Sequence, residues 1–278
     1  MTIKVSIIIV NYNNPVLIRS CIDSIIKFLY GYSYEIIVID NGSKSHELHD
    51  LAIKTPLLKV IFLHKNMGFG FASNVGAINA NSNTLLFLNS DTELIDSSIV
   101  TALENFEKTN GKELWGLRLE WPNGKFQNSH SKKISFIAFI LNYSAFGLLF
   151  KNYSFVRSHK YNYEDFKEKT SVSIIYGTSM IVNKKSFHLL GGFSKKYFMY
   201  FEDVDFCERF LKFGGDVFLY PHATLIHKVA GSKKNKSINL NYFYSKFKYA
   251  YTKFGILGFL FALMDFIFLF LIIKFKNI

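Results

Sequence analysis

The sequence predicts an α/β fold, and three observations carry that expectation. Apolar, β-branched runs of strand length recur through the first third of the chain, segments with helical spacing separate them, and the runs are apolar throughout rather than alternating. Parallel strands covered by helices on both faces have that character, whereas half-exposed antiparallel strands alternate.

The elements follow in order. "KVSIIIV" (4–10) reads as the first strand, and "PVLIRSCIDSIIKFL" (15–29) as a helix with Pro15 near its start, where a missing N–H costs nothing. "YEIIVID" (34–40) and "LKVIFLH" (58–64) are the second and third strands, "GFASNVGAINA" (70–80) is a small-residue helix, and "TLLFLN" (84–89) is the fourth strand. Right-handed crossovers make this a Rossmann-like half. The rhythm lapses from about 125 to 170, where the 17-residue apolar stretch 134–150 reads as a buried or interfacial helix. It returns with a strand in "SIIYGTSMIV" (173–182), a turn at "GGF" (191–193), a helix in "EDVDFCERFLKFG" (202–214) and a strand in "DVFLYP" (216–221). "FGILGFLFALMDFIFLFLII" (254–273) is 20 residues long with one charge, Asp265. At about 1.5 Å rise per residue it is just long enough to cross a bilayer core. A carboxylate at its centre costs about 2.5–3.5 kcal/mol, so a shallow or re-entrant helix rivals a spanning one.

Composition narrows the partners. The chain has 278 residues, 49% hydrophobic and 19% charged, which suits one large domain or one domain with an appendage. Its formal net charge of +12 is carried by lysine, since Arg19, Arg118, Arg157 and Arg209 are the only arginines. Reading of DNA bases favours arginine forks, while lysines suit anionic headgroups or diphosphates, so membrane and phosphate outweigh nucleic acid. Cys21 and Cys207 lie in separate predicted helices without CxxC spacing, which suggests neither a zinc site nor a disulfide framework and fits a reducing cytoplasm. "MTIKVSIIIV" is too short for a signal peptide and reads as a strand.

Candidate chemistry sits at strand ends. Asp40 closes the second strand before "NGS", where an acid can accept hydrogen bonds from a ribose or base N–H, although Asp-Asn-Gly also simply turns. "NMGFGFASNVG" (66–76) brings glycines to a helix start, either to meet a phosphate or to pack closely. Asp91 and Glu93 close the fourth strand. A hard divalent cation needs few carboxylates there when substrate phosphates and water fill its remaining positions, while an N-cap is the plain alternative. Glu202, Asp203 and Asp205 crowd one helix start after "YFMYF", with Asp205 and Arg209 spaced as an ordinary helix pair. His222 and His227 are an odd number apart, so on a strand only one can face a given site.

Together "VSIIIVNYNN", "EIIVIDNGS", "NMGFGFASNVG", "LLFLNSD", "YGTSMIV", "GGFSKKYFMYFEDVDFCER" and "HKVAGS" resemble family 2 glycosyltransferases of the GT-A fold, especially the bacterial rhamnosyltransferase-like branch. The resemblance implies a GT-A domain over 1–240, with a nucleotide-sugar half (1–93) and an acceptor half (94–240), mixed central sheet included, and a membrane-anchoring segment at 241–278. It implies that Asn89, Ser90 and Asp91 occupy the family's DxD position, with Asp91 as metal ligand and His227 completing the Mg²⁺ or Mn²⁺ site. Asn11, Tyr12, Asp40, Asn66, Gly68, Phe69 and Asn74 join Asn89 and Ser90 in the nucleotide-sugar site. Asp203 is the implied catalytic base, with Glu202 its nearest competitor.

The activity implied is inverting transfer of a sugar to a lipid-linked saccharide of a bacterial surface polysaccharide or lipopolysaccharide, at the cytoplasmic face of the inner membrane. The favoured donor is dTDP-rhamnose, with UDP-hexoses next. A nucleotidyltransferase would want a Gly-rich basic motif at the first strand, where "NYNN" stands, and a non-catalytic membrane-tethered nucleotide-sugar binder would lack an acid that is present here.

Overall fold

The computed structural model describes residues 2–44, 57–145, 166–228 and 240–276, with positions 48, 147 and 154. Strands β1 (Val5–Asn11), β2 (Tyr34–Asp40), β3 (Leu58–Phe62) and β4 (Thr84–Asn89) form the parallel half in the order β3-β2-β1-β4. The interiors of β1, β2 and β4 are almost wholly buried, which is why their runs carry no polar alternation, while β3 at the edge is only partly buried. Helix α1 (Pro15–Phe28) buries Ile18, Cys21, Ile22 and Ile25, one stripe at three- and four-residue spacing. Helix α2 (Phe69–Ile78) lies against the opposite face. A Cβ on Gly76 would come within 2.4 Å of Ile8, so the small residues of this helix let it pack close to β1.

The second half contains β5 (Thr92–Leu94), α3 (Ser98–Glu107), β6 (Glu113–Glu120), β7 (Phe126–Gln127), β8 (His130–Ser131), α4 (Phe136–Asn142), β9 (Thr170–Ser171), β10 (Ile174–Ile175), β11 (Ser179–Asn183), α5 (Lys184–Leu189), α6 (Glu202–Lys212), β12 (Asp216–His227) and α7 (Leu240–Lys276); its strands extend the same sheet, except β8 and β10, which pair with each other. The sheet order is β3-β2-β1-β4-β11-β6-β12-β5. Strand β11 is antiparallel to both β4 and β6, so the central sheet is mixed. Two buried clusters cover its faces. One contains α1 and α3, and the other contains α2, α5 and α6 with aromatic residues from α4 and α7.

Several sequence expectations change in detail. The run 173–182 is two strands, β10 and β11, because Gly177 between them turns its N–H to a carboxylate rather than to a neighbouring strand. The strand expected at 216–221 runs on to His227 across an irregularity between Tyr220 and Thr224. The apolar stretch from 134 forms a short helix, α4, whose start is capped by Ser135 Oγ accepting from the Ala138 N–H at 3.1 Å, and part of its remainder lies outside the described residues. The "VAGS" of the last motif lies outside them too. Helix α7 is broken at Gly255 (φ 66°, ψ −152°) into two arms.

Candidate active site

The C-terminal ends of β1, β2 and β4 meet at one edge of the sheet: Asn11 is level with Asp40, and Val10 with Asn89. In an open α/β sheet this edge is the ligand crevice. Asp40 is buried and uses Oδ1 to accept from the Ser43 N–H at 2.7 Å, the turn its Asp-Asn-Gly sequence favours. Its Oδ2 is buried with no hydrogen-bond partner, as is Asn11 Oδ1 across the strand pair. Such orphaned acceptors are costly unless something donates to them. Tyr12 next to them is about half exposed.

The glycine loop closes over this edge. Asn41 holds it from below, donating to Asn66 Oδ1 (3.0 Å) and the Gly68 carbonyl (3.3 Å) and accepting from the Met67 N–H (2.9 Å). Gly68 has φ 87°, and a Cβ there would lie 2.1 Å from the Phe198 carbonyl oxygen, so only glycine fits. The Phe69 N–H is already given to that carbonyl at 3.0 Å, and this amide joins two loops. Asn74 likewise spans the molecule, donating to the Phe193 carbonyl and accepting from its N–H.

The loop that follows Phe198 ends in backbone strain. Tyr200 and Phe201 are consecutive residues with φ of 70° and 67°, a conformation that bulky side chains rarely adopt. Directly after them α6 begins with Glu202 and Asp203. Asp203 Oδ2 accepts from the Gly177 N–H at 2.9 Å and Oδ1 from the Val204 N–H at 2.8 Å. Burial raises its carboxyl above the ordinary range, while these N–H groups pull it back down. The helix start therefore acts against desolvation and does not by itself keep the group ionised. Glu202 is more buried, its Oε2 has no partner, and burial together with the adjacent Asp203 holds its carboxyl well above the usual range. Its side chain packs toward Gly70 of α2. Tyr143 stands beside Asp203, its hydroxyl hydrogen-bonded to Tyr176, and burial raises its phenol well above the usual value.

Asp91 and Glu93 have different partners. Glu93 pairs with Lys228, partly exposed. Asp91 Oδ1 lies 3.2 Å from His227 Nε2, and both are largely buried. The Lys228 N–H bonds the Asp91 carbonyl at 2.9 Å, which fixes the end of β12 against the β4–β5 turn. Neither Asp91 nor Thr92 caps a helix: Thr92 begins β5 and bonds the Asn89 carbonyl through its hydroxyl. The Asn89 N–H donates to the Thr178 carbonyl, beside the Gly177 that holds Asp203, so the adjacent residues Gly177 and Thr178 tie Asp203 to the end of β4. His222, by contrast, is exposed and faces Glu168.

The Asp91–His227 pair fits a divalent cation. The Gln127 amide oxygen lies 3.1 Å from His227 Nδ1, and in the tautomer that donates to it the Nε2 lone pair faces the Asp91 carboxylate. A carboxylate oxygen and an imidazole nitrogen at this spacing share either a proton or a bound cation. Asp91 Oδ1 and His227 Nε2, 3.2 Å apart, are the two side-chain atoms that would hold such a cation. No cluster of three or more His, Cys, Asp or Glu exists among the described residues, so the other positions would fall to phosphates and water. The cysteines take no part, since both are buried and burial pushes the Cys21 thiol up to about 12.

Gln127, Gly177 and Tyr176 were not foreseen from the sequence. Gly177 acts through its backbone N–H and Gln127 sits in the stretch without periodicity, so neither leaves a side-chain pattern to read. Tyr176 lay inside a motif and could have been flagged as a hydroxyl beside the acid.

The glycosyl transferase family 2 model matches residues 6–191, and that of the N-terminal domain of galactosyltransferase matches residues 157–231. The O-antigen biosynthesis protein RfbC of Myxococcus xanthus is 25% identical over 240 residues, covering 85% of this chain and 18% of that protein. An N-acetylglucosaminyl-diphospho-decaprenol L-rhamnosyltransferase of Mycobacterium tuberculosis is 38% identical over 61 residues, covering 22% of this chain and 20% of its own length. The chain thus spans a small part of either relative. Among solved structures, GalNAc-T7 with UDP, GalNAc and Mn²⁺ superposes with a TM-score of 0.64 at 15% identity, covering 88% of this chain and 50% of that one, which shows the GT-A fold. With the family model covering more than half of its residues, the chain belongs to glycosyl transferase family 2.

Proposed function

We propose that this glycosyltransferase moves a sugar, with inversion, from a nucleotide diphosphate donor to a lipid-linked saccharide at the cytoplasmic face of a bacterial inner membrane, in the synthesis of a surface polysaccharide. The observation that supports this reading is that a partly buried carboxylate, Asp203, is held by the Gly177 N–H next to the Thr178 carbonyl that accepts from Asn89, two residues before the Asp91 that pairs with His227. Residues 1–93 then form the donor half, 94–240 the acceptor half, and 241–278 the membrane-associated segment.

Asp40 Oδ2 and Asn11 Oδ1 accept from the base, while the loop held by Asn66 and Gly68, with Phe69, Tyr12, Asn74, Asn89 and Ser90 around it, shapes the nucleotide-sugar site. Asp91 and His227 would hold Mg²⁺ or Mn²⁺, with histidine favouring Mn²⁺. The cation supplies Lewis-acid stabilisation of charge developing on the diphosphate leaving group. Asp203 takes the acceptor hydroxyl's proton, the step that makes the oxygen nucleophilic. Tyr143 and Tyr176 wall the approach to it. The relative that uses L-rhamnose supports dTDP-rhamnose as the leading donor, with UDP-hexoses next.

The test incubates purified protein with a panel of nucleotide sugars and a lipid-linked acceptor and measures nucleoside diphosphate release. Expected are turnover with dTDP-rhamnose or a UDP-hexose, loss in excess EDTA, recovery with Mn²⁺, and at least about tenfold weaker Mn²⁺ activation in His227→Ala. Release from GDP-mannose alone, or full turnover in EDTA, overturns the donor or the metal respectively.

A further inference from the structure

The C-terminal helix does not present lipid-like side chains on all sides. The two arms of α7, 240–254 and 256–271, fold against each other across Gly255, with Phe243 and Phe266 ring centroids 4.9 Å apart and Phe247 5.9 Å from both Phe259 and Phe266. Asp265 points into that seam. Its Oδ2 accepts from Lys246 Nζ at 2.5 Å, both side chains being buried, and its Oδ1 accepts from the Ala145 N–H at 2.7 Å. The one carboxylate of the apolar helix is therefore paired and fastened to the segment after α4.

The other face is apolar and uncovered. Leu257, Leu260, Met264, Ile267 and Leu271 recur at three- and four-residue spacing and are all exposed, Leu257 at 68% and Met264 at 65%. Phe136 of α4 packs on Phe254 (5.3 Å) and Phe261 (6.3 Å), and it and Ile137 are exposed beside the stripe. The surroundings are basic: Lys132 and Lys133 are exposed just before α4, and Lys248 reaches the carbonyl of Lys196.

We propose that this face lies in the plane of an anionic lipid leaflet, as a hairpin seated on the membrane rather than a helix that crosses it. An apolar stripe beside lysines complements anionic headgroups over a hydrocarbon boundary. A second copy of a chain with formal charge +12 would bring like charge against it. Crossing would pull the second arm from its seam and carry Asp265 into lipid away from Lys246 and Ala145. The first arm also reaches the active site: Tyr249 stacks on Phe201 at 4.9 Å, and Tyr242 lies 5.6 Å from Tyr200 and 5.9 Å from Phe201, immediately before Glu202 and Asp203. Seating the hairpin thus brings the catalytic helix start next to the leaflet that would carry the acceptor. The inference rests on the membrane and lipid-acceptor part of the proposed function.

The full chain is floated with phosphatidylcholine vesicles, with or without phosphatidylglycerol, and singly introduced cysteines at exposed Asn123 and at terminal Ile278 are labelled by a membrane-impermeant maleimide after binding from outside. Expected are salt-sensitive binding to phosphatidylglycerol vesicles, at least about tenfold weaker binding of Leu257→Gln/Met264→Gln/Ile267→Gln, and labelling of both cysteines in intact vesicles. Protection of position 278 while position 123 reacts means a crossing helix and overturns the proposal. So does absence of vesicle binding, or a stable dimer that the triple substitution dissolves. Hydrolysis of the donor in detergent, without acceptor, is read in parallel: its loss with intact vesicle binding counts against the enzymatic reading alone.

Discussion

Two adjacent carboxylates at the start of α6 have environments that assign them different work. Asp203 keeps two backbone N–H donors against the burial that raises it, whereas Glu202 has an unpartnered oxygen and rises further. Asp203→Asn keeps the shape and removes the basicity, so turnover should fall on the order of 10²–10⁴-fold with donor affinity nearly unchanged. Because Asp203 is raised, the acid limb of the wild-type pH–rate profile should lie above an ordinary aspartate's range. Normal turnover in Asp203→Asn together with its loss in Glu202→Gln would transfer the role to Glu202. Glu202→Gln should otherwise stabilise the fold. A carboxyl raised in the folded state binds its proton more tightly there, so the wild type loses stability as pH climbs from the unfolded value of about 4.3 toward the folded one. The glutamine variant has no such loss, and its melting temperature should exceed the wild type's near neutral pH by about 2 °C or more, with the gap closing at lower pH. Equal melting temperatures at pH 7 would mean that Glu202 is not held up by burial. At this scale the acids themselves were legible in the sequence, as side chains at strand and helix ends. The family resemblance had already joined Asp91 to His227, but that Glu93 turns instead to Lys228 depends on where β12 ends, more than a hundred residues away.

The parallel half could be read element by element because β1, β2 and β4 are buried on both faces and the crossover helices α1 and α2 each bury one face. The mixed half includes short strands such as β7, β8 and β10, too brief for any period, and their pairing, β7 on β6 and β8 with β10 in a separate two-stranded ribbon, is set by the fold around them. The glycine loop lies between these cases. Its glycines were visible, but their reason is an approach to the Phe198 carbonyl that only the fold reveals. Gly68→Ala tests that approach. The added Cβ must displace the 197–201 loop and with it the strained pair before Asp203, so turnover should drop at least about tenfold. Gly124→Ala is the control, since it has a similar φ of +74° with nothing within 4 Å and should cost backbone strain of about 1–2 kcal/mol without loss of turnover. Equal turnover of the two variants would show that the contact with Phe198 does not position the start of α6.

For the whole molecule, the telling case is Asp265, which in the sequence stands as a lone charge in an apolar run. Its partner Lys246 precedes that run, on the far side of a break at Gly255 that helical periodicity does not register. The pair joins the C-terminal hairpin to itself and, through Ala145, to the body of the enzyme. A buried ion pair need not add much net stability, because both charges were taken from water, yet removing one partner strands the other. Asp265→Asn keeps an acceptor for the Ala145 N–H but leaves the Lys246 ammonium without its counter-charge, and should cost about 3–5 kcal/mol in denaturant unfolding. Lys246→Met added to it removes the stranded charge and fills the seam among Phe139, Phe243 and Phe247 with an apolar chain, so the double variant should regain most of that loss. The two substitutions must therefore be strongly non-additive. If their effects simply sum, Lys246 and Asp265 do not act as one unit, and the hairpin owes its closure to its aromatic seam.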